Sequence, residues 1–172
     1  MAVDLTLKST AITNREATPR VLNSPGRGAP GRLHMVTVYL ASVTAALSIT
    51  SVIRMCEIPA YCVVKRVSFQ SAAQGAGKFD IGLYRTNGDG GAVVDQDFFA
   101  TAVDCASAVA ITDVTNESTT YTQAKQQQPI WQAAGMTTAP APGTMLDVAC
   151  VVASTDVTTG TGAITVDVQF VI

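Results

Sequence analysis

The sequence predicts an all-β fold, an antiparallel two-sheet sandwich or jelly roll of about eight strands with at most one short helix, preceded by an extended N-terminal arm. Apolar and polar residues alternate in short segments, as side chains do on half-buried strands. Clusters of Gly, Pro and Asn separate these segments, and there is no heptad stretch or internal repeat. Hydrophobic residues make up 48% of the 172 residues and charged residues 14%, which is ample for one core.

Residues 1–34 are predicted to form the arm, and residues 35–172 a single β domain. The arm has no sustained period, and SPGRGAPG at 24–31 is incompatible with a continuous helix or central strand. Residues 1–35 hold five basic and two acidic residues, a net charge of +3, whereas the remainder carries −5. The arm therefore fits a contact with a negatively charged surface, or a solvated tail. Its candidate partner-binding residues are Arg15, Arg20, Arg27 and Arg32.

Strands are predicted where β-branched residues alternate with polar ones. The predicted segments are 35–42, 47–54, 61–70, 79–84, 92–94, 146–153 and 162–172. The clearest pair is the hairpin over 79–94, in which NGDGG at 87–91 tolerates the positive φ angles that a chain reversal requires. The last segment places four apolar side chains on one face and polar ones on the other, as in an antiparallel strand that is wet on one side.

The only predicted helix lies in the small-residue stretch after Phe99, with Asp95 or Asp97 as its N-cap. The Thr-rich segment 112–121 and the proline-containing segment 137–143 are predicted to be connections. Trp131, the only tryptophan, follows a proline and is expected to anchor the core.

Catalytic and metal chemistry is not expected in this chain. His34 is the only histidine and is predicted to lie at the junction of arm and body, so an imidazole metal site or a Ser-His-Asp triad has too few components. Asp95 and Asp97 have the spacing of a carboxylate pair on one strand face, but aromatic residues are only 6% and no sugar-stacking surface is evident. We interpret both as turn and capping residues. No catalytic residue, metal or cofactor is predicted, and the chain is not expected to be an enzyme.

The four cysteines form no CxxC pair and are expected to be buried free thiols. Asp4 and Lys8 interrupt any apolar core of a signal peptide, so synthesis in a reducing cytoplasm is expected. No apolar run of about 18 residues occurs, and no membrane is expected as a partner.

Several segments carry a family resemblance that spans residues 35–172. They are FDIGLY at 79–84, GAVVDQDFFA at 91–100, PIWQ at 129–132, LDVA at 146–149 and GAITVDV at 162–168. In these segments the chain resembles the small proteins that decorate or cement the capsids of tailed bacteriophages. Its basic arm is longer than is typical of them.

The resemblance implies a jelly roll that binds the outer surface of an icosahedral head as a dimer or trimer and bridges major capsid protein subunits. The expected partners are the major capsid protein and further copies of the chain, with nucleic acid not expected, and the expected location is the outer surface of the virion after synthesis in the host cytoplasm. The alternative is a jelly-roll receptor- or glycan-binding module of a phage fibre. That function would need a platform of exposed aromatic side chains, drawn from Tyr39, Tyr61, Tyr84, Tyr121 and Trp131.

Overall fold

The computed structural model describes residues 32–41, 46–154, 156–157 and 162–172. These residues form eight β-strands, one short α-helix and two 3₁₀ turns, so the prediction of an all-β domain is confirmed. The strands are β1 (Leu33–Leu40), β2 (Val52–Pro59), β3 (Val63–Ser71), β4 (Lys78–Arg85), β5 (Val93–Asp104), β6 (Val109–Asp113), β7 (Met145–Val152) and β8 (Ile164–Val171), and the helix is α1 (Ile130–Ala133).

The strands form two four-stranded sheets with the connectivity of a jelly roll. The first sheet has the order β1-β8-β3-β6 and the second the order β2-β7-β4-β5. Every pair of neighbours is antiparallel. A jelly roll has the strand pairs of one long hairpin rolled into two layers. Here these pairs are β1·β8 and β3·β6 in one sheet and β2·β7 and β4·β5 in the other. The core lies between the layers.

Alternation along the strands explains how the core is filled. In β8, Ile164, Val166, Val168 and Phe170 are buried while the residues between them are partly exposed, as the sequence predicts. In the second sheet, the central strand β7 is buried along nearly its whole length. The strand predicted at 47–54 begins five residues later and continues to Pro59.

The hairpin between β4 and β5 has the predicted turn chemistry. Asn87–Asp89 form a 3₁₀ turn, and Gly90 and Gly91 adopt φ angles of +82° and +65°. Arg85 Nη1 donates to the Asp89 carboxylate at 2.7 Å across the turn. Glycine is needed at the two positive-φ positions because an L side chain is strained there.

The helix predicted after Phe99 is wrong, because residues 93–104 form the single strand β5. β5 detours beside β4: Leu83 pairs with Asp95, but Ile81 pairs with Ala100. At the detour a Cβ on Gly82 would lie 2.1 Å from the Gln96 carbonyl oxygen, so only glycine leaves room for the crossing chain. Burial of Phe98 and Phe99 and pairing with β4 outweigh the helix propensity of the small residues.

The connection between β6 and β7 contains the helix α1, which the sequence did not predict. Its Ile130 N–H donates to the Cys62 carbonyl oxygen at 2.8 Å, and Trp131 N–H donates to that of Ala60 at 3.1 Å. Tyr121, farther up the same connection, is fully buried, and its hydroxyl donates to the Val64 carbonyl oxygen at 2.6 Å. These bonds fix the connection against the turn between β2 and β3.

The two ends of the sandwich carry different loops. Leu33 in β1 lies opposite Val171 in β8, so Arg32 and Ile172 lie at one end, which we call the terminal end. The connections β2–β3, β4–β5 and β6–β7 reach the same end because the strands are antiparallel. Leu33 and His34, which the sequence analysis assigned to the arm, are the first two residues of β1.

Candidate interaction surface

The predicted arm arginines fall mostly outside the described residues. Arg15, Arg20 and Arg27 lie in that part of the chain. Arg32 is described, and it is an exposed residue immediately before β1 at the terminal end. Among the four, the structure therefore places only Arg32, directly beside the surface described next.

The outward-facing side chains of β1 form an exposed apolar row. Alternation along the strand points Leu33, Met35, Thr37 and Tyr39 away from the core, and we call these four residues the β1 outer row. Leu33, Met35 and Tyr39 are 63%, 60% and 63% exposed. The inward residues Val36, Val38 and Leu40 pack against the core cluster. β1 is thus apolar on both faces, although only one face is covered by described residues.

The β1 outer row borders polar residues of β8 on the outer face of the first sheet. In the β1·β8 register Met35 lies opposite Gln169, Thr37 opposite Asp167 and Tyr39 opposite Thr165. Asp167 Oδ1 is buried and receives no hydrogen bond from the described residues. The exposed side chain of Ile172 extends the apolar area at the terminal end. On this face, exposed apolar side chains therefore lie beside a carboxylate oxygen, Asp167 Oδ1, that receives no hydrogen bond from the described residues.

The second sheet has a cluster of polar contacts around Arg54. Arg54 donates to the Asp147 carboxylate, to the Arg85 carbonyl oxygen at 2.7 Å and to the Gly91 carbonyl oxygen at 2.8 Å. Its guanidinium also lies 5.4 Å from the centroid of the Tyr84 ring. These contacts use both Nη1 donors and one Nη2 donor of the arginine within the domain. The first sheet has three exposed large apolar side chains in the single strand β1, whereas those of the second sheet, Val52 and Val93, lie in different strands.

The carboxylates that resembled a catalytic pair are structural. Asp95 and Asp97 lie in β5, so they do not cap a helix. The Asp97 N–H donates to Asp95 Oδ1 at 3.3 Å, and Thr101 Oγ1 donates to the Asp97 carboxylate at 3.0 Å. Burial, and secondly a hydrogen bond between the Asp95 and Asp97 side chains, raises the pKa of Asp95 above its ordinary value, although the Asp97 N–H acts in the opposite direction. The pair stabilises the detour of β5.

Other candidates for chemistry remain separate in the described part of the chain. The His34 ring is stacked on Phe170 with centroids 5.5 Å apart. No three His, Cys, Asp or Glu side chains among the described residues converge as metal ligands. The four cysteines are free, as expected, and Cys62, Cys105 and Cys150 are buried, whereas Cys56 is only half-buried. Burial raises the pKa of Cys105 to about 11 and that of Cys56 to about 12.

A depression of about 380 Å³ at the terminal end lies between the β4–β5 turn and the segment before β7. Its lining includes Glu57, Thr86, Asp89 and Thr144. Asp89 is already paired with Arg85. The lining contains carboxylate and hydroxyl side chains but no His, Cys, Lys or Arg.

The exposed aromatic side chains do not form a platform. Tyr84 and Tyr121 are buried, and Trp131 packs against the core, as expected. Tyr61 is 41% exposed, packs edge-on against Trp131 at 6.1 Å and lies at the terminal end. Tyr39 lies six residues along β1 from Leu33, which is about 20 Å toward the other end.

The β1 outer row was not predicted from the sequence. The signal was present in LHMVTVYL at 33–40, where apolar residues occupy both faces of the predicted strand. A strand that is apolar on both faces is expected to pack against other residues on each face. Only the topology shows that no described residues pack on the outer face of β1. Among the described residues, no helix has the length and apolarity needed to cross a bilayer.

Comparisons with known proteins give two structural neighbours. A chain of the cyanophage Pam1 capsid asymmetric unit matches with a TM-score of 0.52 and 14% identity, over 91% of this chain and 96% of that one. A chain of the capsid of Ralstonia phage GP4 matches with a TM-score of 0.58 and 12% identity, over 87% of this chain and 90% of that one. No protein-family model and no curated protein sequence matches the chain. At these identities the likeness shows a shared fold.

Proposed function

We propose that this chain is a structural protein of a tailed-phage capsid that decorates or cements the outer surface of the shell. The observation that carries the proposal is the near-complete overlap with chains of two phage capsids, at least 87% of this chain and 90% of each neighbour. An overlap of this extent involves the entire domain rather than one motif. The resemblance of residues 35–172 to phage cement proteins adds the outer-surface position and the major capsid protein as partner.

The exposed surface of the domain suits this role. A stable protein contact buries about 1,600 Å² in total, so a cement protein needs contact area rather than a cleft. The β1 outer row and Ile172 provide apolar area at the terminal end. The exposed residue Arg32 adjoins them. Many weak contacts on a repeating shell add up through high effective concentration.

The proposed role requires no catalysis, and we propose that the chain is not an enzyme. Residues 32–172 contain seven basic and eleven acidic residues. This negative domain disfavours a polyanion such as nucleic acid as its partner. The fibre-module alternative is less well supported, because its aromatic platform is not formed by the described tyrosines and Trp131. A glycan panel probed with the isolated protein would reveal that function by specific binding.

The test uses heads of the phage that encodes the chain, purified from a mutant that lacks the gene. We expect the added protein to co-sediment with these heads and to raise their temperature of rupture. Cryo-electron microscopy of complete heads should show jelly-roll density on the outer surface. Density confined to a tail fibre, or no density on the shell, would refute the cement function.

The contribution of the arm can be measured in the same assay. A variant that lacks residues 1–31 keeps all of β1 and is expected to fold but to bind heads more weakly. A triple variant, Arg15→Gln, Arg20→Gln and Arg27→Gln, should show part of this loss if charge is responsible. Unchanged affinity in both variants would make residues 1–31 a tail without a role in attachment.

A further inference from the structure

The two sheets have four edge strands, and each exposes backbone N–H and C=O groups along one side. Such an edge can pair with a strand of another molecule, and proteins usually prevent this with charges, proline or bulges. Three edges of this domain have these protections. β2 contains Arg54, Glu57 and Pro59 and a register shift, and β5 has three register shifts. β6 is only five residues long.

β1 has none of these protections. Its eight residues include no Asp, Glu, Lys, Arg, Pro or Gly. It pairs with β8 at every position from Leu33↔Val171 to Leu40↔Ile164 without a register shift. No described strand pairs with its other side. β1 therefore presents a straight, neutral edge of full length, with exposed apolar side chains on the outer face.

We propose that β1 pairs antiparallel with β1 of a second copy across a two-fold axis near Val36. Identical strands pair antiparallel under two-fold symmetry, and the interface is then self-complementary. With Val36 on the axis, outward residues oppose outward ones, Leu33 facing Tyr39 and Met35 facing Thr37. Aliphatic-aromatic pairs of this kind stabilise neighbouring strands. No pair of like charges arises from acidic residues, lysine or arginine because the strand contains none of them.

A second copy fits this edge better than the other edges of the domain do. A partner strand must be free of charge and apolar at alternate positions, and it must have an unpaired side. Among the described strands only β1 meets all three conditions. The pairing joins two first sheets into one of eight strands. The β1 outer rows of both copies then form one continuous apolar strip.

The test is made on the isolated protein, so it is independent of the proposed capsid role. We expect the full chain to sediment as a dimer in the micromolar range. Thr37→Lys places like charges beside the axis at an exposed position and should raise the dissociation constant at least about tenfold. The matched control is Ile111→Lys, also an exposed position, on the edge strand β6, which should leave the dimer intact.

Hydrogen exchange locates the contact within the dimer. Amides of residues 33–40 should become protected as concentration rises, while those of 109–113 should not. A monomeric full chain, or a dimer that is unchanged by Thr37→Lys, would overturn the proposal. A dimer that survives Thr37→Lys but is lost on deletion of residues 1–31 would also overturn it, and would assign the contact to the arm.

Discussion

Gly82→Ala is expected to destabilise the domain strongly. Among the described glycines without a positive φ, Gly82 is the one at which an added Cβ would lie nearest to other atoms. Gly82 lies in β4, where β5 detours across it. An added Cβ would lie 2.1 Å from the Gln96 carbonyl oxygen and 2.4 Å from that of Asp95. Both contacts are with backbone, so no side-chain rotation relieves them.

The size of the effect follows from these distances. Moving the Gln96 oxygen out to 3.0 Å requires a shift of about 0.9 Å in a strand that also carries the buried Phe98 and Phe99. Overpacking of this kind costs about 1–3 kcal/mol, occasionally more. Loss of chain entropy in the unfolded state offsets roughly 0.4–1 kcal/mol. We expect a net loss of about 1–2 kcal/mol, or roughly 2–8 °C in Tm for a domain of this size.

Urea unfolding followed by tryptophan fluorescence measures the change, because Trp131 is the only tryptophan. Gly88→Ala is the matched control in the neighbouring turn. Its nearest atom to an added Cβ is Thr86 Oγ1 at 4.0 Å, so its stability should stay within about 0.5 kcal/mol of wild type. Equal stability of the two variants would refute this account of the β4–β5 crossing.

Three further predictions concern buried groups. Tyr121→Phe should cost about 1–3 kcal/mol by leaving the Val64 carbonyl oxygen without its donor, and chemical unfolding would show no loss if that bond were unimportant. The pKa of Asp95 is raised in the folded state above its ordinary value of 3.8. The free energy of unfolding of the wild type, relative to that of Asp95→Asn, should therefore fall as pH increases above 3.8 and level off beyond the raised pKa. A difference that does not change with pH would contradict the raised pKa. The three buried thiols of Cys62, Cys105 and Cys150 should react with a disulfide reagent at neutral pH only after unfolding, and rapid labelling of native Cys150 would contradict its burial.

The sequence predicted most strands because their burial alternates with period two. β8 illustrates this, since its apolar residues all face the core. The prediction failed for β5, where small residues favoured a helix. The strand forms there because Asp80 Oδ1 accepts the Ala102 N–H at 2.7 Å, while Ala102 adopts a φ of +51°. Such a bond between distant segments has no local sequence signal.

The candidate surface was harder to predict than the fold. The alternation in β1 was recognised, but whether a strand lies at an edge depends on which strands become its neighbours. Leu33 meets Val171, a residue near the other end of the described chain. Exposure of the β1 outer row is therefore a property of topology, and sequence pattern alone assigned no exposed face to it.

The position of β8 has a consequence for folding during synthesis. β8 lies between β1 and β3 in the first sheet, yet it is made after the other seven strands. β1 therefore cannot pair with β8 until more than one hundred further residues have been synthesised. Long-range pairing of this kind slows folding. The neutral edge of β1 is most vulnerable to wrong partners in that interval, so the rate of synthesis should influence the yield of folded protein.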